Sequence, residues 1–312
     1  MTTKLKVGTT LWSWRELGAA NALCQQAEQA EAMGFHSFWL PENHFAGSHA
    51  IPQPLTLLAA IAARTSHIKL GCTSLLLPIR NPLLAAEEVA VVDQLSEGRL
   101  ILGVGRGIQG AMFKAFDVPT GDKRKLFQAN LDIMRSAWDG KAIAEEENGT
   151  PIRLSPLPVQ RPSPPIWVAA FGPLALKQVA GLGLPYLASP VESLATLEQH
   201  YRDYHQGVSD AGLPAVNIIP VMRTIFVCKK ASQIEEIRGV LAKTVMPAMA
   251  ERAGEVTDWA IVGDRSYVRD KLAEYRERLS LTHLIARAGV AGVSSEEQLR
   301  SHEALLDVAV EH

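Results

Sequence analysis

The chain has 312 residues and a formal net charge of −2, and 47% of its residues are hydrophobic against 21% charged. This is a globular composition with enough apolar material for a large core, and its charge gives no sign of a nucleic-acid or anionic-membrane partner. The three cysteines, Cys24, Cys72 and Cys228, are far apart and form no C-x-x-C pair. We therefore expect neither a disulfide framework nor a thiolate zinc site.

The amino terminus leads straight into a strand-like segment and shows no signal-peptide pattern. No apolar run approaches the roughly 18–20 residues that a membrane helix needs. We therefore expect a cytoplasmic protein without a membrane partner.

Short apolar runs alternate along the chain with longer segments of helical period. Between them, for example, Leu23, Ala27 and Ala30 form a helical stripe that Gly34 is placed to end. Eight parallel strands with helices packed outside are what a closed barrel requires, so we predict one (β/α)8 TIM-barrel domain of the α/β class over residues 1–312. The predicted strands are Lys6–Leu11, Ser37–Leu40, Ile68–Leu76, Leu100–Val104, Ile166–Ala169, Tyr186–Ser189, Ile218–Cys228 and His283–Ala286.

Two stretches interrupt this alternation. Residues 142–155 carry Asn148-Gly149 between polar arms, which indicates a hairpin, and residues 156–165 are rich in proline. Residues 229–282 hold two helical patterns before the last strand. We interpret both stretches as excursions, after strands 4 and 7, over the mouth of the barrel, where the substrate loops of this fold lie.

Polar residues follow the second predicted strand at its carboxyl end, the active-site side of this fold. Glu42 and His44 are two residues apart, so in extended backbone they face the same side. A carboxylate beside an imidazole suits proton transfer, because each group shifts the pKa of the other. The alternative is a loop whose polar groups satisfy one another's hydrogen bonds. We expect no metal site, because His44 and His49 have no further ligands at sensible spacing.

The fourth strand ends in a glycine-rich segment, Gly103-Val-Gly-Arg-Gly107. Small residues there let a flat ligand or a phosphate approach the backbone, and Arg106 supplies a permanent charge with forked donors. The alternative is an arginine that closes the barrel rim through a salt bridge. A later turn at Gly172 opens a helix whose free N–H groups suit an anion, although the same turn is common in purely structural roles.

Three further polar features stand in segments that should be buried. Thr73 and Ser74 interrupt an apolar strand, where their hydroxyls either serve a ligand or bond to nearby backbone. Arg223 and Arg287 lie within or at the end of strands seven and eight. Each arginine either pairs with an acidic residue at the rim or binds an anionic substrate.

The run from Trp39 to Gly107 resembles the bacterial luciferase-like family of flavin-dependent oxidoreductases. The matching segments read W-L-x-E-x-H-F, L-A-A-x-A-A-R-T, L-G-C-T-S and D-Q-L-S-E-G-R-L-x-L-G-V-G-R-G. The similarity is dense over about residues 4–139. The last segment is the most specific, because it joins a helix end, a tight turn and a glycine-rich strand end in one order.

The resemblance implies that Glu42 lies near the flavin ring and that Thr73–Ser74 is a non-proline cis peptide beneath it. It implies that Arg106 holds the phosphate, and that two copies pair through helices next to the early strands. The other cofactor-side positions that it implies are Gly107, Ile108, Phe171, Gly172, Ala175 and Ser189.

The sequence departs from the family pattern at three places. Asn43 stands where luciferases proper carry a second histidine, and an amide cannot transfer a proton near neutral pH. Gly105 stands where those proteins have a cysteine. Phe171-Gly172 replaces a carboxylate and a hydroxyl found in some relatives, so phosphate binding at this turn would depend on backbone.

The resemblance implies a two-component monooxygenase that uses reduced FMN, made by a separate NAD(P)H:flavin reductase, and O₂ to oxidise a small organic substrate. His44 is then the acid–base group, beside Glu42, and Asn43 a hydrogen-bonding partner of the flavin or an intermediate. One alternative is hydride transfer with the deazaflavin F420, whose anionic tail Lys123, Arg124 and Lys125 would help to hold. Another, motivated by Asn43, is a flavin-binding protein without turnover.

Overall fold

The computed structural model describes residues 4–14, 20–245 and 253–310. Its contacts divide the chain into two compact units. The first unit comprises Met1–Trp14, Gln25–Trp39 and Ala170–His312, and the second comprises Arg15–Cys24 and Leu40–Ala169. The single domain predicted over residues 1–312 stays a prediction.

Helices and strands alternate along the chain, as the apolar periodicity predicts. The strands are β1 (Lys6–Thr10), β2 (Ser37–Leu40), β3 (Lys69–Cys72), β4 (Leu75–Leu76), β5 (Leu100–Gly105), β6 (Ala144–Glu145), β7 (Pro151–Ile152), β8 (Ile166–Ala169), β9 (Tyr186–Leu187), β10 (Pro220–Val227), β11 (Ala260–Gly263) and β12 (His283–Arg287). The helices are α1 (Ala20–Met33), α2 (Pro54–Ala62), α3 (Pro82–Leu95), α4 (Gly110–Ala115), α5 (Lys123–Trp138), α6 (Pro173–Leu182), α7 (Leu194–Asp210), α8 (Ala231–Ala242), α9 (Val256–Trp259), α10 (Arg265–Leu279) and α11 (Ser295–Val310). Within the described ranges, none of these helices is long and apolar enough to cross a membrane.

The first unit holds parallel strands in the order β11-β10-β12-β1-β2, with the last residue of β2 counted in the second unit. All eight residues of β10 are buried. Burial on both faces of a parallel sheet explains why such strands are continuous apolar runs. Helix α1 ends before Gly34, whose φ of +91° is the left-handed conformation that the sequence predicts there.

The second unit holds the parallel strands β3-β5-β8, and β4 pairs with β5 through Leu75↔Val104 and Leu76↔Gly105. The predicted strand Ile68–Leu76 is therefore two strands. They are separated at Thr73–Ser74, whose peptide bond is cis, as the family resemblance implies.

The two predicted excursions fare differently. The first contains the predicted hairpin, in which β6 and β7 pair antiparallel around Gly149. The second holds the two predicted helical patterns as α8 and α10, and between them it also holds β11, which pairs parallel with β10 and which the sequence analysis missed. A four-residue apolar run is too short for its periodicity to separate strand from helix. Residues 246–252 of this stretch lie outside the described residues, and the placement of both excursions over the barrel mouth stays a prediction.

A buried arginine fixes the amino-terminal start of β5. Arg99 donates to the carbonyl oxygens of Ala62, Thr65 and Ile68 at 2.9, 2.9 and 3.2 Å, and to the Thr65 hydroxyl at 2.8 Å. These carbonyls belong to the end of α2 and the segment after it, where a helix leaves acceptors unpaired. Arg99 therefore ties α2 to β5 at the end of the strand opposite to Arg106.

Candidate active site

Glu42 is the centre of a buried polar cluster in the second unit. Its fully buried carboxylate has His44 Nε2 2.7 Å and Arg80 Nη2 2.8 Å from Oε1, and its Oε2 accepts from the Leu76 amide at 2.8 Å. A buried carboxylate needs such donors, because an unpaired charge away from water is costly. Glu42 thus fastens the segment after β2 to the end of β4, and it also orients the His44 ring.

His44 is buried against aromatic rings. Its ring centroid lies 5.0 Å from that of Phe116, in an edge-to-face arrangement, and 5.9 Å from that of Phe45. The two phenyl rings are 5.7 Å apart, and Phe45 is 69% exposed. An exposed aromatic pair next to a buried acid–base group is a surface that an apolar molecule can cover.

Asn43 closes the loop that follows β2. Its backbone exchanges two hydrogen bonds with Ile51, at 3.1 and 3.0 Å, and its Oδ1 accepts from the Ile51 amide at 2.5 Å. The side-chain oxygen therefore serves the loop. The predicted role of Asn43 as a partner of the cofactor or an intermediate stays a prediction.

The end of β5 lies against Ser74. A Cβ atom added to Gly105 would overlap the Ser74 hydroxyl and lie 2.9 Å from the Ser74 Cβ. This close approach gives the physical reason for glycine where luciferases have a cysteine. The nearby Cys72 is buried, its Sγ donates to the Gly103 carbonyl at 3.2 Å, and burial raises the pKa of its thiol to about 12.

Two positively charged side chains, Arg106 and Arg124, lie near each other just beyond the end of β5. The pKa of Arg106 is lowered, first by burial and then by the neighbouring charge of Arg124 at the start of α5. Gly107 has a φ of +73°, and a Cβ there would lie 3.0 Å from Met112 Cε. A bound anion would relieve the repulsion between the two guanidinium groups, so these residues fit the phosphate of a flavin nucleotide. Ile108, the next predicted cofactor residue, is 53% exposed.

The remaining predicted residues lie in the first unit. Gly172 precedes α6 with a φ of +81°, and its carbonyl accepts from the Ala175 amide at 3.1 Å. That amide, predicted to help hold the phosphate, is thus bonded within its own helix turn. Phe171 is half-buried, and the Ser189 carbonyl accepts from Arg223 at 3.1 Å.

The structure brings Glu42 and His44 together, and it brings Ser74 against Gly105, the residue before Arg106. The cofactor roles of these residues, and of the predicted residues in the first unit, stay predictions. Sequence reasoning missed Arg80 as a partner of Glu42. The two residues are 38 positions apart, and no periodic pattern joins them. The available signal was a cation inside an otherwise apolar, proline-punctuated segment.

A family model described as luciferase-like monooxygenase matches residues 2–238. The chain belongs to this family. The resemblance read from residues 39–107 is confirmed, and with it the enzyme class at the level of the family.

A curated relative is the oxygenase component of a flavin-dependent trigonelline monooxygenase from Acinetobacter baylyi. It is 27% identical over 210 residues, which are 63% of this chain and 56% of that protein. The chain spans about half the length of several of the curated relatives that it matches.

Two solved structures share the fold. The oxygenating constituent of 3,6-diketocamphane monooxygenase from Pseudomonas putida, in complex with FMN, superimposes with a TM-score of 0.82 at 19% identity over 99% of both chains. The F420-dependent tetrahydromethanopterin reductase from Methanopyrus kandleri gives 0.77 at 18% identity, over 98% of this chain and 100% of that chain. These likenesses confirm the predicted fold class, an α/β fold with a mostly parallel sheet of the luciferase-like TIM-barrel type.

Proposed function

We propose that the chain is the oxygenase component of a two-component monooxygenase that binds reduced FMN and uses O₂ to oxidise a small organic substrate. The observation that carries this proposal is the charge gathered by Arg106 and Arg124 beyond the contact between Gly105 and Ser74. A relative described as a flavin-dependent oxygenase component, and a neighbour in complex with FMN, support the choice of cofactor and a separate reductase as partner.

When bound, FMN supplies the oxygen chemistry, and the protein binds, orients and shields. Arg106 holds the phosphate as a charged, forked donor. The Glu42 carboxylate keeps the proton on His44 Nε2, which leaves Nδ1 to accept or return a proton. Phe45 and Phe116 form an apolar wall beside that ring and exclude water from it.

The test compares FMN with riboflavin, which lacks the phosphate. In Arg106→Gln, loss of a charged hydrogen bond worth about 1.5–3 kcal/mol should weaken FMN binding by about 10- to 100-fold and leave riboflavin binding unchanged. Arg135→Gln is the matched control, because Arg135 lies about 16 Å further along α5 than Arg124. Flavin fluorescence measures all six dissociation constants. Equal effects of Arg106→Gln on both ligands would remove Arg106 from the phosphate site.

F420 is the second candidate, and a specific observation favours it. Lys123, Arg124 and Lys125 form the first residues of α5, and a run of cations suits a long anionic tail. Side-by-side titration with FMN and F420 separates the two cofactors. Tighter binding of F420, with hydride transfer in the absence of O₂, would replace the monooxygenase proposal.

We also infer that two copies of the chain pair through α3. Leu84, Val91 and Leu95 are 60%, 42% and 52% exposed, and their spacing of seven and four residues places them along one helix face. An apolar stripe of this kind on a surface helix is typical of a protein interface.

A further inference from the structure

A completely buried cation lies in the sheet of the first unit. Arg223 is the fourth residue of β10 and is 0% exposed. Its Nε donates to the Tyr275 hydroxyl at 2.7 Å, and the guanidinium lies over that ring, with Cζ 5.3 Å from the ring centroid. Nη1 donates to the Met222 and Ser189 carbonyls at 3.0 and 3.1 Å, and Nη2 to the Glu192 carbonyl at 2.7 Å.

This geometry fits neither of the two interpretations of Arg223 that the sequence leaves open. An arginine that binds an anionic substrate must present donors to a cavity, whereas Arg223 is fully buried and bonded to three carbonyls and a hydroxyl. An arginine in a rim salt bridge would pair with a carboxylate, whereas these partners are mainly backbone. Arg223 is therefore built to hold chain segments together.

Glu192, whose backbone carbonyl accepts from Arg223, also carries a buried carboxylate. Its side chain is fully buried, and among the described residues its carboxylate oxygens accept no hydrogen bond. Oε1 lies 3.6 Å from His200 Nδ1. Burial is the first cause that raises the pKa of Tyr201; the charge of Arg223 lowers this pKa and the charge of Glu192 raises it, so both groups lie near this buried tyrosine. A buried arginine is tolerated where backbone carbonyls and a hydroxyl accept its donors in this way.

Arg223 donates hydrogen bonds to two carbonyls of one short loop. Residues 188–192 follow the carboxyl end of β9, the end of a strand at which this fold carries its active-site loops. The carbonyls of Ser189 and Glu192 both accept from Arg223, so the intervening residues are held from inside the molecule. Ser189 is the residue of this loop to which the family resemblance gives a cofactor role.

We propose that Arg223, supported by Tyr275, is a positioning residue that sets the place of Ser189 for flavin binding. The inference rests on the proposed flavin function. A lysine cannot replace Arg223, because a single ammonium group cannot reach a hydroxyl and two loop carbonyls in the plane of the guanidinium fork. Without the guanidinium group, the loop loses the hydrogen bonds that fix its conformation.

The test compares Arg223→Lys with Arg99→Lys. Arg99 is the matched control, since it is also a buried arginine bonded mainly to carbonyls, but it lies at the amino-terminal start of β5. Both variants should lower the melting temperature. Only Arg223→Lys should also raise the FMN dissociation constant, by about tenfold, the scale on which supporting contacts act. It should also alter the visible circular dichroism of the bound flavin.

A second variant keeps the test decisive if Arg223→Lys does not fold. Tyr275→Phe removes only the acceptor of Arg223 Nε, so it should weaken FMN binding in the same direction by a smaller factor. Unchanged FMN binding in whichever variant folds would overturn the positioning role while leaving the flavin function intact. Wild-type protein that binds neither FMN nor F420 would overturn both.

Discussion

Replacing Glu42 with glutamine tests how much of the second unit depends on one buried charge. The carboxylate receives three donors at 2.7–2.8 Å, and glutamine turns an NH₂ group toward at least one of them. Removing one partner of a buried ion pair costs about 3–5 kcal/mol, and the retained amide oxygen recovers about 1 kcal/mol. We expect Glu42→Gln to lower the free energy of unfolding by about 2–4 kcal/mol.

Chemical denaturation at pH 7 measures this change through the transition midpoint, provided that the slope of unfolding free energy against denaturant is unchanged. Glu88→Gln is the matched control. Glu88 faces the same Arg80 at 3.7 Å, but its side chain is 49% exposed, so its loss should cost under about 1 kcal/mol. Equal costs for the two variants would refute the claim that Glu42 is a structural anchor.

Three further outcomes are expected. Serine at both Leu84 and Leu95 should convert a dimer to monomer in sedimentation velocity; a wild-type monomer would contradict the pairing through α3. Gly105→Ala should cost about 1–3 kcal/mol in thermal or chemical denaturation, because the new methyl group overlaps Ser74, and an unchanged stability would show that Ser74 moves freely. Burial lowers the pKa of His302 from 6.5 to about 4, so between these pH values the unfolded chain binds a proton that the folded chain does not. The free energy of unfolding is therefore highest above pH 6.5 and decreases as the pH falls toward 4. The difference corresponds to about 3 kcal/mol, and His302→Gln should flatten that part of a stability-against-pH curve.

Much of the fold could be predicted because the pattern repeats over long segments. Helix α1, for example, carries an apolar stripe over several turns, and it was predicted from that periodicity. Strand β11 was missed because four apolar residues between two helical patterns carry no periodic signal. The cis peptide at Thr73–Ser74 followed from the family resemblance, since two hydroxyl residues in an apolar run do not by themselves indicate one. The break that it makes between β3 and β4 was not predicted.

The candidate site was predictable only in part. Glu42 and His44 are close in sequence, so their pairing follows from local geometry. Their link to Arg80 depends on how β2 and β4 are placed, which no local pattern encodes. In the segment from Asp93 to Gly107, too, the contacts between distant residues could not be predicted from a local pattern. Arg99 in this segment joins α2 to β5 through its hydrogen bonds, and Asp93 accepts two hydrogen bonds from Gln160.

The Cys72 thiol has a consequence for durability. With a pKa of about 12, only about one molecule in 100,000 carries the thiolate at pH 7, and it is the thiolate that attacks peroxides and becomes oxidised. In the proposed function an O₂-dependent flavin site lies near Thr73–Ser74, and a reactive sulfur in the preceding residue would be open to oxidation. Because this thiol stays protonated, is buried and donates to the Gly103 carbonyl, it should resist oxidation under conditions that oxidise an accessible cysteine.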